Sequence, residues 1–252
     1  MCRKPFLVTV ILSCLSLLSN RAAAEKQGSA EARSISAIID GHANAVQEHR
    51  QKLRSATGEE RKQLTLERPS VFDTAAALAD AIAKNPTDPA VIDAAGWILN
   101  HAPEKNVLEV LVPALKKHHT RSEELSAFCL LAAREAGEAF ADLMETIARE
   151  NPNRQVKGTA TYALGCILRD SDDPARRVRS EKVFAEVVKD FADVKLGDFS
   201  LARTADDALF KVQHLQVGKP APEIEGEDAD GKVFKLSDYR GKAVVVAFFG
   251  FW

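Results

Sequence analysis

The chain is sparing with cysteine. Four occur in 252 residues, two of them at Cys2 and Cys14, and so few cannot staple a fold as a disulfide framework. Charge of one sign is scarce as well: 34 Lys and Arg stand against 36 Asp and Glu, a formal net charge of −2. Without a basic excess, neither nucleic acid nor an anionic membrane surface is recruited electrostatically, and no nucleic-acid partner is expected. The apolar run Phe6 to Leu18 covers only about 13 residues, short of the roughly 20 that a membrane-spanning helix needs. No stable membrane span is therefore expected. Also missing are a Gly-rich phosphate loop, a GxSxG elbow and an HExxH pair, so nucleotide hydrolysis, serine-elbow chemistry and zinc-protease chemistry have no motif to stand on. No cofactor and no metal site are expected.

What is present begins with a leader. Arg3 and Lys4 precede the apolar run, and Ala22, Ala23 and Ala24 form a small-residue cleavage site before Glu25. That order reads as a secretory signal peptide over residues 1–24, cleaved after Ala24, which places the mature protein in the periplasm or cell envelope. A lipid acceptor at Cys14 is disfavoured because Leu15 to Leu18 continue the apolar run past it. Export leaves Cys129 and Cys166 as the two thiols, in a compartment where a disulfide is permitted.

From about Ala30 to Gln216 the apolar spacing is helical. Residues 25–69 read as an N-terminal helix and polar linker, with Ile35, Ile38, Ile39, His42 and Val46 at three- and four-residue intervals. A Glu-, Arg-, Lys- and Gln-rich stretch from Gln47 to Arg68 follows and reads as a solvated helix or a linker. Pro69 breaks the pattern and Ser70 supplies a cap, with Asp73 complementing the helix dipole. Residues 70–216 read as a helical-repeat-like domain of α-α hairpins. Segments beginning near Asn85, His119 and Asn151 recur at about 32 to 34 residues, each with capping residues, a small-residue helix carrying one aromatic (Trp97, Phe128, Tyr162) and a second amphipathic helix. A last pair, Arg176 to Phe191 and Asp198 to Leu215, continues the style, with Leu201, Ala205, Leu209, Phe210 and Val212 lining the second helix.

Few residues of this region could carry chemistry. His118 and His119 are adjacent, so on a helix they point about 100° apart, and they read as a helix-end pair favourable to the C-terminal dipole. His42 and His49 share a face but have no third ligand in the pattern. Cys129 and Cys166 fall one helical turn out of register on neighbouring elements. Packed helices lie about 8 to 10 Å apart, whereas a disulfide needs Cα atoms within about 7 Å. Two buried, inert thiols are therefore expected, with a Cys129–Cys166 structural disulfide as the alternative and a redox pair last.

Val217-Gly218-Lys219-Pro220-Ala221-Pro222 ends the helical pattern. Residues 223–226 and 232–236 then alternate polar and apolar around Asp230-Gly231, a hairpin signal. Ser237 is placed to cap a turn that Gly241 ends, and Ala243 to Phe249 is apolar and β-branched, as a strand buried on both faces would be. The blocks G-x-x-A-P, D-x-D-G-K, L-S-D-Y-R-G-K and the apolar strand, over Val217 to Trp252, resemble the N-terminal third of the redoxin family. That family takes in thioredoxin-like, TlpA-type thiol-disulfide reductases and peroxiredoxins. The aromatic ending Phe249-Gly250-Phe251-Trp252 is similar to the reductase strand that runs into Trp-Cys-x-x-Cys.

The resemblance implies a mostly α chain, a helical-repeat-like domain followed by an incomplete α/β thioredoxin-like domain over 217–252, with Phe249, Gly250, Phe251 and Trp252 flanking an active site whose cysteines this chain lacks. It further implies protein disulfide substrates or a redox partner, with a protein partner for the helical domain, and no dithiol activity in the 252 residues themselves. The alternatives are a non-catalytic helical scaffold with a vestigial redoxin segment, or a peroxiredoxin-type peroxidase, which would place Thr-x-x-Cys in the same region.

Overall fold

A computed structural model describes residues 30–135, 137–228 and 230–247. Residues 1–24, the expected leader, and Phe249 to Trp252, the expected active-site flank, lie outside the described residues. The described chain is mostly α-helical with two small hairpin sheets. Helix α1 (Ala30–Ser55) and α2 (Gly58–Leu66) come first, so most of the polar stretch takes the solvated-helix form of the two expected, with α2 burying none of its residues. Then follow α3 (Val71–Lys84), α4 (Val91–His101), α5 (Lys105–His118), α6 (Ser126–Glu135), α7 (Ala141–Glu150), α8 (Arg154–Arg169) and α9 (Pro174–Asp190). The hairpin β1 (Lys195–Leu196) and β2 (Phe199–Ser200) leads into α10 (Leu201–His214), and β3 (Glu225–Glu227) pairs with β4 (Val233–Lys235) beyond it.

Local chemistry starts the helices where the polar residues predict. Ser70 Oγ accepts from the Asp73 N–H at 3.1 Å and opens α3. Asn153 Oδ1 accepts from Gln155 and Val156 to open α8, and Asp173 Oδ1 accepts from Ala175 beside Pro174 at the first turn of α9. Asp198 to Ser200 is not helical as expected: Gly197 takes a φ of +61°, the chain folds back into the β1–β2 hairpin, and Ser200 Oγ caps α10 through the Arg203 N–H.

The helices pack as two layers of antiparallel hairpins. One layer runs α3, α5, α7; the other runs α4, α6, α8, α10, and α1 closes the N-terminal end across α3 and α4. A continuous apolar core extends from Ile35 through Leu78, Ile98, Leu111, Phe128, Phe140 and Met144 to Ile167 and Val183. A second cluster, Phe184, Val187, Leu201, Ala205 and Val212, closes the C-terminal end. Helix α8 lies between the two clusters, and eleven of its sixteen residues are buried, so it has almost no solvent face. Its glycines make that possible. A Cβ on Gly165 would lie 2.6 Å from the Phe184 ring, and one on Gly158 would lie 2.9 Å from both Leu201 and Phe191.

The loops between the helices have polar ties as well. His119 Nε2 donates to the Pro86 carbonyl at 2.8 Å, and Asn151 Nδ2 donates to the Thr120 and Ser122 carbonyls, both at 2.8 Å. His119 and Asn151 therefore each tie their loop to a loop about 30 residues earlier, satisfying carbonyls that no helix can serve.

The region after α10 is built differently. The β3–β4 hairpin pairs Glu225 with Lys235, Gly226 with Phe234 and Glu227 with Val233, and it turns at Asp228 to Gly231, with Gly231 at φ +77°. Ile224 O accepts from the Leu236 N–H at 2.9 Å, and Glu223 Oε1 accepts from the Ser237 N–H at 3.0 Å. The N-cap of the short 3-10 turn Leu236–Tyr239 is not Ser237, as expected, but Lys235, whose N–H donates to Asp238 Oδ2 within the turn. Gly241 ends the turn at φ +85°.

The expected strand Ala243 to Phe249 is not formed over its described part: residues 243–247 are irregular and exposed, Val245 at 95%. A strand holds its shape through a ladder of partner hydrogen bonds, and among the described residues no strand pairs with this run. No thioredoxin fold is seen in the described residues.

Candidate functional site

The thiols sit on facing helices of one layer, Cys129 on α6 and Cys166 on α8, and both are free and buried. Cys129 is fully enclosed in the main core; burial pushes its thiol up to about 12, only partly offset by a hydrogen bond with Thr159. Cys166 belongs to the C-terminal cluster. Burial raises its thiol too, against the nearby Arg169 and the Tyr162 hydroxyl. Thiolate is the nucleophile in exchange chemistry, and burial disfavours that form at both side chains.

The adjacent histidines divide in role. His118 is exposed at the end of α5. His119 is only 6% exposed, and burial holds its imidazole below the ordinary 6.5 despite the pull of the Pro86 carbonyl. His119 is thus a neutral donor bracing two loops and not a cation on the helix dipole. Both border a shallow pocket of about 500 Å³, together with Thr87, Ser122 and Glu124. Among the described residues no cluster of three His, Cys, Asp or Glu has metal-binding geometry.

His42 and His49, which share a face of α1, are not brought to a common site. His42 Nδ1 lies 2.9 Å from Thr74 Oγ1 on α3, and its ring meets two aromatic rings of α4. Trp97 stands edge-on at 5.1 Å and His101 lies 6.4 Å away, while Trp97 and His101 stack at 4.5 Å with 16° between planes. Sequence spacing missed this group because its members come from three helices. The one local signal was the four-residue interval between Trp97 and His101, which puts both on one helix face.

None of the described helices is long and apolar enough to cross a membrane. No family model, no curated protein and no solved structure matches this chain.

Proposed function

We propose that this chain joins a helical scaffold to the opening of a redoxin-type thiol-disulfide oxidoreductase module, exported to the periplasm or cell envelope by the leader at residues 1–24. The observation that carries this reading is the C-terminal block order together with its local form. A hairpin with a D-x-D-G-K turn is tied by Ile224 and Glu223 to an L-S-D-Y-R-G-K turn. In the chemistry this implies, a Cys-x-x-Cys after Trp252 supplies a thiolate that attacks a substrate disulfide and expels one substrate thiolate. The second cysteine then attacks the mixed disulfide, closing the protein's own disulfide and releasing the other substrate thiol. Phe249, Gly250, Phe251 and Trp252 would flank that site, and protein disulfides or a redox partner would be its substrates. The array would hold the module or bind a protein partner. Cys129 and Cys166 take no part in this reading, because both are buried in the helical array and burial disfavours the thiolate.

Two measurements test the reading. The coding sequence beyond the Trp252 codon is expected to give Cys-x-x-Cys and an α/β pattern of about 100 residues, a typical module size. A stop codon there overturns the reading, and Thr-x-x-Cys in that stretch replaces the reductase with a peroxidase. In an insulin-reduction assay the 252-residue chain is expected to show no turnover above a cysteine-free control.

One observation favours a second reading, a non-catalytic helical interaction protein with a vestigial redoxin segment. No described residue from 217 to 247 is buried, while the array carries a full core.

A further inference from the structure

One stretch of the described chain is apolar, β-branched and left in solvent. Ala243-Val244-Val245-Val246-Ala247 follows the turn that Gly241 ends, and all five residues are exposed, the three valines at 45%, 95% and 47%. With no proline, glycine or charge, it has the composition of a strand, yet among the described residues no strand pairs with it. The run is also a palindrome, Ala-Val-Val-Val-Ala in either direction. We propose that residues 243–247 are a self-recognition strand, which pairs antiparallel with the same residues of a second copy about a two-fold axis at Val245. This is independent of the redoxin reading: that reading concerns chemistry beyond Trp252, whereas the pairing is a property of the 252-residue chain.

The palindrome selects both partner and register. Centred on Val245, an antiparallel pair sets Ala243 against Ala247 and Val244 against Val246 in both halves, so the run is complementary to itself and the contact closes at two chains. Valine side chains pack well against neighbours on a pleated surface. The two Lys242 residues fall at opposite ends of such a pair. A parallel pair in the same register would instead set them side by side, which like charges disfavour.

The chain's own hairpin is a poorer partner for the run. Strands β3 and β4 have three residues each and carry Glu225, Glu227 and Lys235, and charge on a short edge strand discourages further pairing. A two-stranded ribbon of five residues is marginal in water. The association is therefore reversible, and it is counted by trapping it covalently.

The test introduces Val245→Cys or Ala243→Cys into the full chain carrying Cys2→Ser and Cys14→Ser; Cys129 and Cys166 are buried and common to both proteins. Diamide is the oxidant, taking up the two protons and two electrons that two thiols release on forming one disulfide. Residues directly opposite in an antiparallel pair have Cα atoms about 4.5 to 5.5 Å apart, within the reach of a disulfide. The two copies of residue 243 would lie four residues apart along the ribbon, about 14 Å. Val245→Cys is expected to form linked dimer several-fold faster than Ala243→Cys, after each rate is divided by the rate at which iodoacetamide alkylates that thiol. Adding Val244→Pro and Val246→Pro, which remove ladder donors, is expected to bring the Val245→Cys rate down to the Ala243→Cys level. Equal rates for the two thiols, the mark of random collision or of a parallel pair, overturn the proposal, and so does a Val245→Cys rate that the prolines leave unchanged. All four positions are exposed and outside both apolar clusters, so the helical circular dichroism of every variant is expected to match the parent's.

Discussion

The helical array and the segment after it are both built from turns and caps that the sequence announces, yet only one of them has an interior. Between α3 and α10 the apolar positions meet across two layers and close a core. From 217 to 247 every described residue is half-buried or exposed, although Ile224, Phe234 and Leu236 alternate correctly for one covered face. Local patterning is thus sufficient for a hairpin but not for burial: a two-stranded ribbon has one face to hide and nothing of its own to hide it against. The lesson is that helices packed against one another supply each other's partners, while a lone hairpin must borrow one.

The sharpest break of that contrast is expected at Phe184→Ala. This ring is fully buried against Gly165 in the α8–α9 seam, and removing it should cost about 3–5 kcal/mol, read as a drop in the urea midpoint. Asn151→Ala comes next: it leaves the Thr120 and Ser122 carbonyls without their partner, a loss of about 1–3 kcal/mol by the same measurement. For Gly165→Ala two effects compete. Alanine gains roughly 1 kcal/mol of helix propensity, but its methyl would sit 2.6 Å from a fully buried ring, and overpacking costs about 1–3 kcal/mol. Net destabilisation is expected, with the melting temperature lower than that of the parent.

A pH titration separates the two regions by sign and window. His119 in the array is held below 6.5 by burial, so its contribution is complete above about 6.5 and declines as pH falls through and below that value. Glu223 in the segment is held below the ordinary 4.5 by its bonds from Ser237; its contribution is complete above about 4.5 and is lost only in stronger acid. Histidine and backbone resonances followed by NMR should show the array responding first. The smallest effect belongs to Phe234→Ala, which touches Gly226 across the hairpin. It should leave the array's unfolding midpoint within about 0.5 kcal/mol of the parent, and a larger shift would show that the hairpin leans on the helices.

Much of this was legible beforehand because it is local. The Ser70 cap, the mostly helical middle of the chain and the Asp230-Gly231 turn follow from capping, apolar spacing and the φ that only glycine reaches cheaply. What failed was whatever needed a distant partner. Phe210, expected on the inner face of α10, is 47% exposed against His214, and Ala208 is buried in that face. The apolar run from Ala243 has the composition of a core strand, but composition cannot provide the neighbouring strand that would hold it.

The comparison also marks the division of labour between chain and fold. By itself the sequence determined a mostly helical chain and caps such as Ser70, since capping is short-range; that both thiols are free and buried was decided by packing. Only the tertiary structure decided that His119 and Asn151 lace successive loops together, and that His42 meets Trp97 and His101 across three helices. Such contacts join residues more than thirty positions apart, and which of them form is settled by how the layers pack.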